Sequence, residues 1–202
     1  VVGASARAFT HQCPGERHYK AATELATSTA ERVDNAMDEA PPESLSVYGS
    51  LLLSGAVSAA KRENRGQALS LLDEASDAGE RLGGDFNYQW TAFGPTNVLL
   101  HRVSAAVELG DAGSAIDYAR QVRLANIDVM ERRVTLFIDA ARAYQQWGKT
   151  EHAYHALRNA EEMASEELAA RPVVHQLIND IRTRTSGHLH GNVSELAERV
   201  GA

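Results

Sequence analysis

Asn97 and His101 stand four residues apart, as do Ile138 and Arg142, and Arg142 and Gln146, so each pair shares one face of a helix. Leu100 and Gln145 fall beside them. Side-chain amides can hold the backbone of an extended peptide, while leucine and isoleucine take its side chains. The same mixture suits a mostly apolar small molecule with a few polar anchors. His101 could bind a ligand or sense pH; a histidine so placed also serves to satisfy a buried polar contact. A solvated helix face is the competing reading of the whole set. Trp90 and Phe93 belong to the run Phe86-Asn87-Tyr88-Gln89-Trp90-Thr91-Ala92-Phe93, the densest aromatic patch in a chain with 6% aromatic residues. Three roles fit such a run: filling a gap between repeats, closing a pocket, or meeting a second copy at an interface. The candidate ligand-binding set is therefore Trp90, Phe93, Asn97, Leu100, His101, Ile138, Arg142, Gln145 and Gln146.

Bond-making chemistry finds no such support. The sequence has no Gly-x-Ser-x-Gly elbow, Walker loop, His-Glu-x-x-His or Rossmann glycine pattern. Adjacent acids such as Asp73-Glu74 and Glu161-Glu162 do not face one another on a helix, so they do not pose as a catalytic pair. Glu166-Glu167 reads as solvent surface. His188-Leu189-His190 lacks a third ligand and sits between Gly187 and Gly191, so an exposed flexible turn is expected there rather than a metal site. The single cysteine, Cys13, excludes an internal disulfide and has no resolving partner. No enzymatic activity, catalytic residue, metal or cofactor is expected.

The elements that position the candidate residues come from 202 residues with 44% apolar and 23% charged content. Those values are ordinary for a globular protein with a substantial core. No apolar run approaches the ~20 residues that cross a bilayer, so no membrane partner is expected. Lys+Arg number 20 against Asp+Glu 27, a formal net charge of −7, which disfavours direct binding to phosphate backbones. One cysteine and the lack of a signal-peptide pattern fit a cytoplasmic location. The chain opens Val1-Val2-Gly3 without an initiator methionine, which allows for an upstream domain.

The 5 prolines fall at four widely spaced places, Pro41 and Pro42 being adjacent, and between them run stretches rich in Ala, Leu, Glu, Arg and Gln, the better helix formers. The periodicity predicts an all-α chain, with helices near 16–40, 43–63, 67–82, 96–109, 114–123, 129–147, 150–164, 172–185 and 193–200. The first carries an apolar stripe of Tyr19, Ala22, Leu25, Ala26, Thr29, Val33, Ala36 and Met37. Arg65-Gly66 is expected as a tight turn. Residues 1–15 are expected to be disordered or linker-like. Self-similarity is the strongest signal. Aligning Ala68, Ala115 and Ala153 brings Ala56, Val103 and Ala141 into register before them, and Ala75, Val122 and Ala160 after them. Each aligned alanine follows a glycine-containing turn. Small residues at fixed points let two antiparallel helices approach closely, and neighbouring pairs stack because one pair cannot bury its apolar face alone. The pattern resembles the tetratricopeptide repeat, with spacings longer and less regular than its ~34-residue period. The expected fold is one helical-hairpin solenoid over residues 16–202 with degenerate repeats; its concave groove would hold the candidate set. A generic α-bundle is the alternative.

Three segments carry a further resemblance: Trp90-Thr91-Ala92-Phe93-Gly94-Pro95-Thr96-Asn97-Val98 with His101-Arg102-Val103 and Glu108-Leu109-Gly110-Asp111; Glu131-Arg132-Arg133 with Asp139-Ala140-Ala141-Arg142-Ala143-Tyr144; and Arg171-Pro172-Val173-Val174. Together they resemble the C-terminal tetratricopeptide-like region of actinobacterial XRE-family transcriptional regulators, over roughly residues 43–202. In that family a helix-turn-helix DNA-binding domain precedes the repeat domain. No basic recognition helix is visible here, and Asp34, Asp38 and Glu39 make the first helix acidic. The resemblance implies an effector-sensing and dimerisation domain of a bacterial regulator. It would bind a small molecule or peptide, form a homodimer and reach DNA only through a domain outside this chain. The alternative function is a static adaptor for protein–protein interaction.

Overall fold

The computed structural model describes residues 16–35 and 41–202. The segment 1–15 with Cys13, and the residues Ala36, Met37, Asp38 and Glu39, lie outside the described residues. The chain divides into two compact units between Leu109 and Gly110. The first holds α1 (Glu16–Asn35), α2 (Pro42–Ala60), α3 (Arg65–Leu82) and α4 (Pro95–Glu108), with a one-turn 3-10 helix at Tyr88–Trp90. The second holds α5 (Ala112–Gln121), α6 (Met130–Gln146), α7 (Thr150–Ala169), α8 (Pro172–Thr183) and α9 (Gly187–Val200), with a 3-10 turn at Leu124–Asn126. The protein is all-α. Its only β-type pairing among the described residues is the isolated antiparallel bridge between Phe86 and Phe93.

In the first unit α2 is the central rod. From Leu45 to Ala60 it is buried everywhere except at Val47 and Val57, which is why it is apolar on all sides rather than striped. Three of its serines keep this burial cheap, while Ser46 Oγ is buried without a partner. Ser50, Ser54 and Ser58 each donate to a carbonyl of the preceding turn at 2.9 Å, so small polar side chains enter the interior already hydrogen-bonded. Gly55 lets both neighbours close in: a β-carbon there would stand 3.4 Å from Ala26 Cβ of α1 and 3.3 Å from Leu71 Cδ1 of α3. α1 meets α2 through Ala22, Thr23, Ala26, Thr29 and Ala30, all buried, whereas Leu25 of the expected stripe is 36% exposed. The crossing selects small residues, and the bulkier leucine falls to its edge. Leu51, Leu53 and Leu72 are fully buried, each contributing about 1.5–3 kcal/mol.

The α2–α3 connection differs from expectation. Arg65 and Gly66 form the first turn of α3 rather than a turn between helices. Asn64 ends the link, accepting from Gln67 N at 3.2 Å as an N-cap, and Glu63 takes the left-handed conformation (φ 59°) that reverses the chain.

α6 and α7 form the corresponding hairpin of the second unit. Ala141 and Val134 of α6, and Ala153, Leu157 and Ala160 of α7, are all at 0% exposure. α7 breaks where its end was expected: Ala164 leaves the helical region at φ −158°, ψ 80°. The helix then resumes because Leu168 buries completely and Glu167 pairs with Arg171. The expected flexible turn around His188 and His190 is instead the first turn of α9. The apolar residues Val193, Leu196, Ala197 and Val200 are buried and outweigh the flanking glycines. Arg199 fixes α9 to α7 through a bidentate contact with Glu161 at 2.6 and 3.0 Å.

Tyr48 links α2 to α3 by donating its hydroxyl to Glu74 Oε1. Burial, and then Glu74, push its phenol well above the ordinary range. The folded state therefore favours the neutral phenol. The associated stability is complete below the unfolded pKa of about 10 and is lost as pH rises beyond it. Urea unfolding across that window should show the native protein losing stability relative to Tyr48→Phe. Ala141→Leu should overpack the α6–α7 hairpin and cost about 1–3 kcal/mol, read in the same assay at neutral pH.

Candidate functional site

The aromatic segment is a closed loop built from its own polar groups. Phe86 N donates to Phe93 O at 3.0 Å, Ala92 N to Asn87 Oδ1 at 3.0 Å, and Thr91 Oγ1 to Tyr88 O at 2.8 Å. Asp85 carries the loop onto α4. Its carboxylate accepts from Thr96 N at 2.9 Å and from Thr96 Oγ1 at 2.6 Å, satisfying an amide of the first turn and complementing the helix dipole. Gly94 makes this possible, since a β-carbon there would lie 2.5 Å from both Asp85 Oδ1 and Gly84 O. Phe93 turns inward and is completely buried, seated on α2 at Gly49. Trp90 turns outward and is 84% exposed. Phe86 is 42% exposed and packs against Tyr88 with ring centroids 5.3 Å apart. Gln89, Trp90 and Ala92 hold φ of 50°, 58° and 43°, a left-handed conformation costing about 1–2 kcal/mol per non-glycine residue.

The other candidates of the first unit lie on α4. Asn97 is 4% exposed and Leu100 9%. His101 is half-buried, and its Nδ1 lies 2.9 Å from Asn97 O, one turn back. Asn97 Oδ1 is buried without a hydrogen-bond partner in the protein. Phe93 and Asn97 are thus interior, and of the first unit's candidates only Trp90 stands out in solvent.

The second unit supplies Ile138, Arg142, Gln145 and Gln146, all on α6. Ile138 is 2% exposed and Gln145 8%, whereas Gln146 is exposed. Arg142 lies 3.3 Å from the buried Asp139 carboxylate one turn earlier. Both Nε2 and Oε1 of Gln145 are buried with no hydrogen-bond partner in the protein. A further polar cluster joins α6 to α7 and α8. Arg171 donates to Thr135 Oγ1 at 3.0 Å and to Glu167, and lies 3.8 Å from Glu131. The sequence reading assigned no role to Asp85, Gly49, Asp139 or Arg171. Asp85 acts eleven residues away and Gly49 acts by what it lacks, so neither leaves a local signature.

Among the described residues no group of three or more His, Cys, Asp or Glu side chains is placed to hold a metal ion, and no helix is long and apolar enough to cross a membrane. His175 Nε2 lies 2.6 Å from Ala169 O and His190 Nδ1 3.1 Å from Arg182 O, so each is engaged with a main-chain carbonyl near a helix end. No protein-family model, curated protein or solved structure matches the chain.

The seat of Phe93 is testable. Gly49→Ala should expel the ring, cost stability toward the upper end of about 1–3 kcal/mol, and alter the near-ultraviolet circular dichroism of the loop aromatics. Phe93→Leu should recover part of that loss in the double variant, because the two positions touch and their effects are not additive.

Proposed function

We propose that this chain is a regulatory helical-hairpin domain that binds a peptide effector. As the resemblance to actinobacterial XRE-family regulators implies, it serves as the sensing and assembly portion of a DNA-binding transcriptional regulator. The reading rests on Gln145. A primary amide presents donor and acceptor side by side, the complement of a peptide group's C=O and N–H. Burying both atoms of Gln145 unbonded costs on the order of 1–3 kcal/mol. Native chains rarely keep such a cost without a use for it. Asn97 Oδ1 repeats the feature in the first unit.

Full burial of Ala56, Ala68 and Ala75 in one hairpin, and of Ala141, Ala153 and Ala160 in another, supports a tetratricopeptide-like arrangement of degenerate repeats. The effector acts by binding one arrangement of helix pairs more tightly than another. A cytoplasmic homodimer that reaches DNA through an upstream domain completes the reading. The exposed Trp90 ring favours a second one, a static adaptor that docks a protein without sensing.

Gln145→Leu separates effector binding from packing. Removing an unsatisfied amide in favour of a slightly smaller apolar group should leave the unfolding free energy unchanged or raise it by about 1 kcal/mol. Native mass spectrometry of protein purified from its own host should show a peptide retained by the parent chain and absent from the variant. A variant destabilised by several kcal/mol would make Gln145 a packing residue and remove the effector site from α6.

A further inference from the structure

The break in α7 falls where local preference opposes it. Between Gly148 and Pro172 the chain holds neither glycine nor proline, and around Ala164 it reads Glu161-Glu162-Met163-Ala164-Ser165-Glu166-Glu167-Leu168. Alanine is the best helix former, and leucine, methionine and glutamate rank close behind it. Sharp kinks ordinarily trace to proline, to glycine and serine pairs, or to a group inserted into the hydrogen-bond ladder. No proline or glycine is at hand, yet Ala164 leaves the helical region while both flanks keep it. The bend is therefore imposed by what the two flanks touch.

Two arginines make those contacts. Before the break, Glu161, its side chain only 11% exposed, receives Arg199 of α9 at 2.6 and 3.0 Å. After the break, Arg171 is held by Glu167 and reaches back to α6, donating to Thr135 Oγ1 at 3.0 Å and lying 3.8 Å from Glu131. Each arginine thus clasps chain that follows Ala164 to chain that precedes it. α8 packs on α6 and α7, and α9 on α7 and α8; Leu168, Val174, Ile178, Ile181 and Leu196 are fully buried there. The two dihedral angles of one residue aim everything after it. A helical Ala164 would carry Arg171 away from Thr135 and Arg199 away from Glu161, so an unbroken α7 and a docked α8–α9 pair exclude one another.

We propose that α7 is a two-state element. In the docked state Ala164 is bent and α8–α9 closes on the α6–α7 hairpin. In the released state Ala164 turns helical, α7 runs straight from Thr150 to Ala169, and α8–α9 swings away as a lid, uncovering the apolar stripe of α8. Apolar burial makes the docked state the resident one. Helix preference at the bend selects straightening of α7, rather than loss of order, as the way out of it. Both states involve the second unit alone and do not depend on the effector site at Gln145.

Hydrogen exchange of the full chain, followed peptide by peptide under native conditions, reads the opening. Amides of α8 and α9 should exchange through an opening that α6 and the first part of α7 do not share. Arg171→Met with Arg199→Met, which keeps the apolar stems and removes both clasps, should speed that exchange about tenfold. Raised salt should speed it in the parent chain and much less in the double variant. Ala164→Gly gives the deciding sign. Glycine disfavours the straight helix, so exchange of α8 and α9 should slow about fivefold. Simple fraying would be unchanged or quickened, because glycine adds freedom to a disordered chain. Unchanged or faster exchange in Ala164→Gly would overturn the proposal. So would exchange of α8 and α9 at the rate of α6, since they would then open only when the whole unit unfolds. Ala164→Gly in the parent chain decides the matter even if the arginine variants fail to fold.

Discussion

Close approach between helices, bought with missing side-chain atoms, governs what this protein can present. At Gly55 the gap left by a hydrogen in place of a β-carbon brings α1 and α3 onto α2 together. At Gly49 the same gap receives the Phe93 ring whole. Alanine at the buried positions of α6 and α7 does the equivalent work in the second unit. Rods packed this tightly leave little latitude for larger residues, so side chains that need room must lie at edges, in loops or in solvent. That sorting puts Leu25 at the rim of α1 and Trp90 at the tip of a loop.

Within so dense an interior, polar atoms are conspicuous. Ser50, Ser54 and Ser58 of α2 are neutralised by the carbonyls of their own helix, and Arg171 is surrounded by Thr135, Glu167 and Glu131. Ser46 Oγ and Arg158 Nε depart from this rule, and so do Gln145 and the Asn97 oxygen. The contrast gives them weight. A chain that satisfies three serines along α2 and the arginine preceding α8 has the means to satisfy an amide, and Gln145 and Asn97 are of a residue type suited to holding another peptide.

Much of the scaffold was legible from spacing alone. The all-α class, the approximate spans of most helices and the small residues where α2 meets α3 and α6 meets α7 follow from helix periodicity and from the geometric need for alanine where helices meet. Failures occurred where a distant partner overrode a local cue. Arg65-Gly66 looked like a turn because of glycine, yet Asn64 three residues before Gln67 caps a helix that includes both. Gly187 and Gly191 looked like a flexible link, yet the buried stripe of α9 carries the helix through them. The candidate residues show the same division. Periodicity correctly grouped Ile138, Arg142 and Gln145 on α6, but it could not say that Phe93 would enter the core while Trp90, three residues earlier, would not. That difference is set by a hole in α2, forty-odd positions away in the chain.

The attachment of α4 to the loop has a dynamic corollary. The first turn of α4 is held by Asp85, and the last loop side chain before it is held by Gly49. Neither anchor can release without loosening the other's segment, so the loop and the start of the helix form one cooperative opening unit rather than a floppy tether beside a stable rod. A force or an adduct applied at the tip would thus be transmitted as fraying of α4 from its amino end, which makes amide protection in that turn a remote gauge of events at the tip.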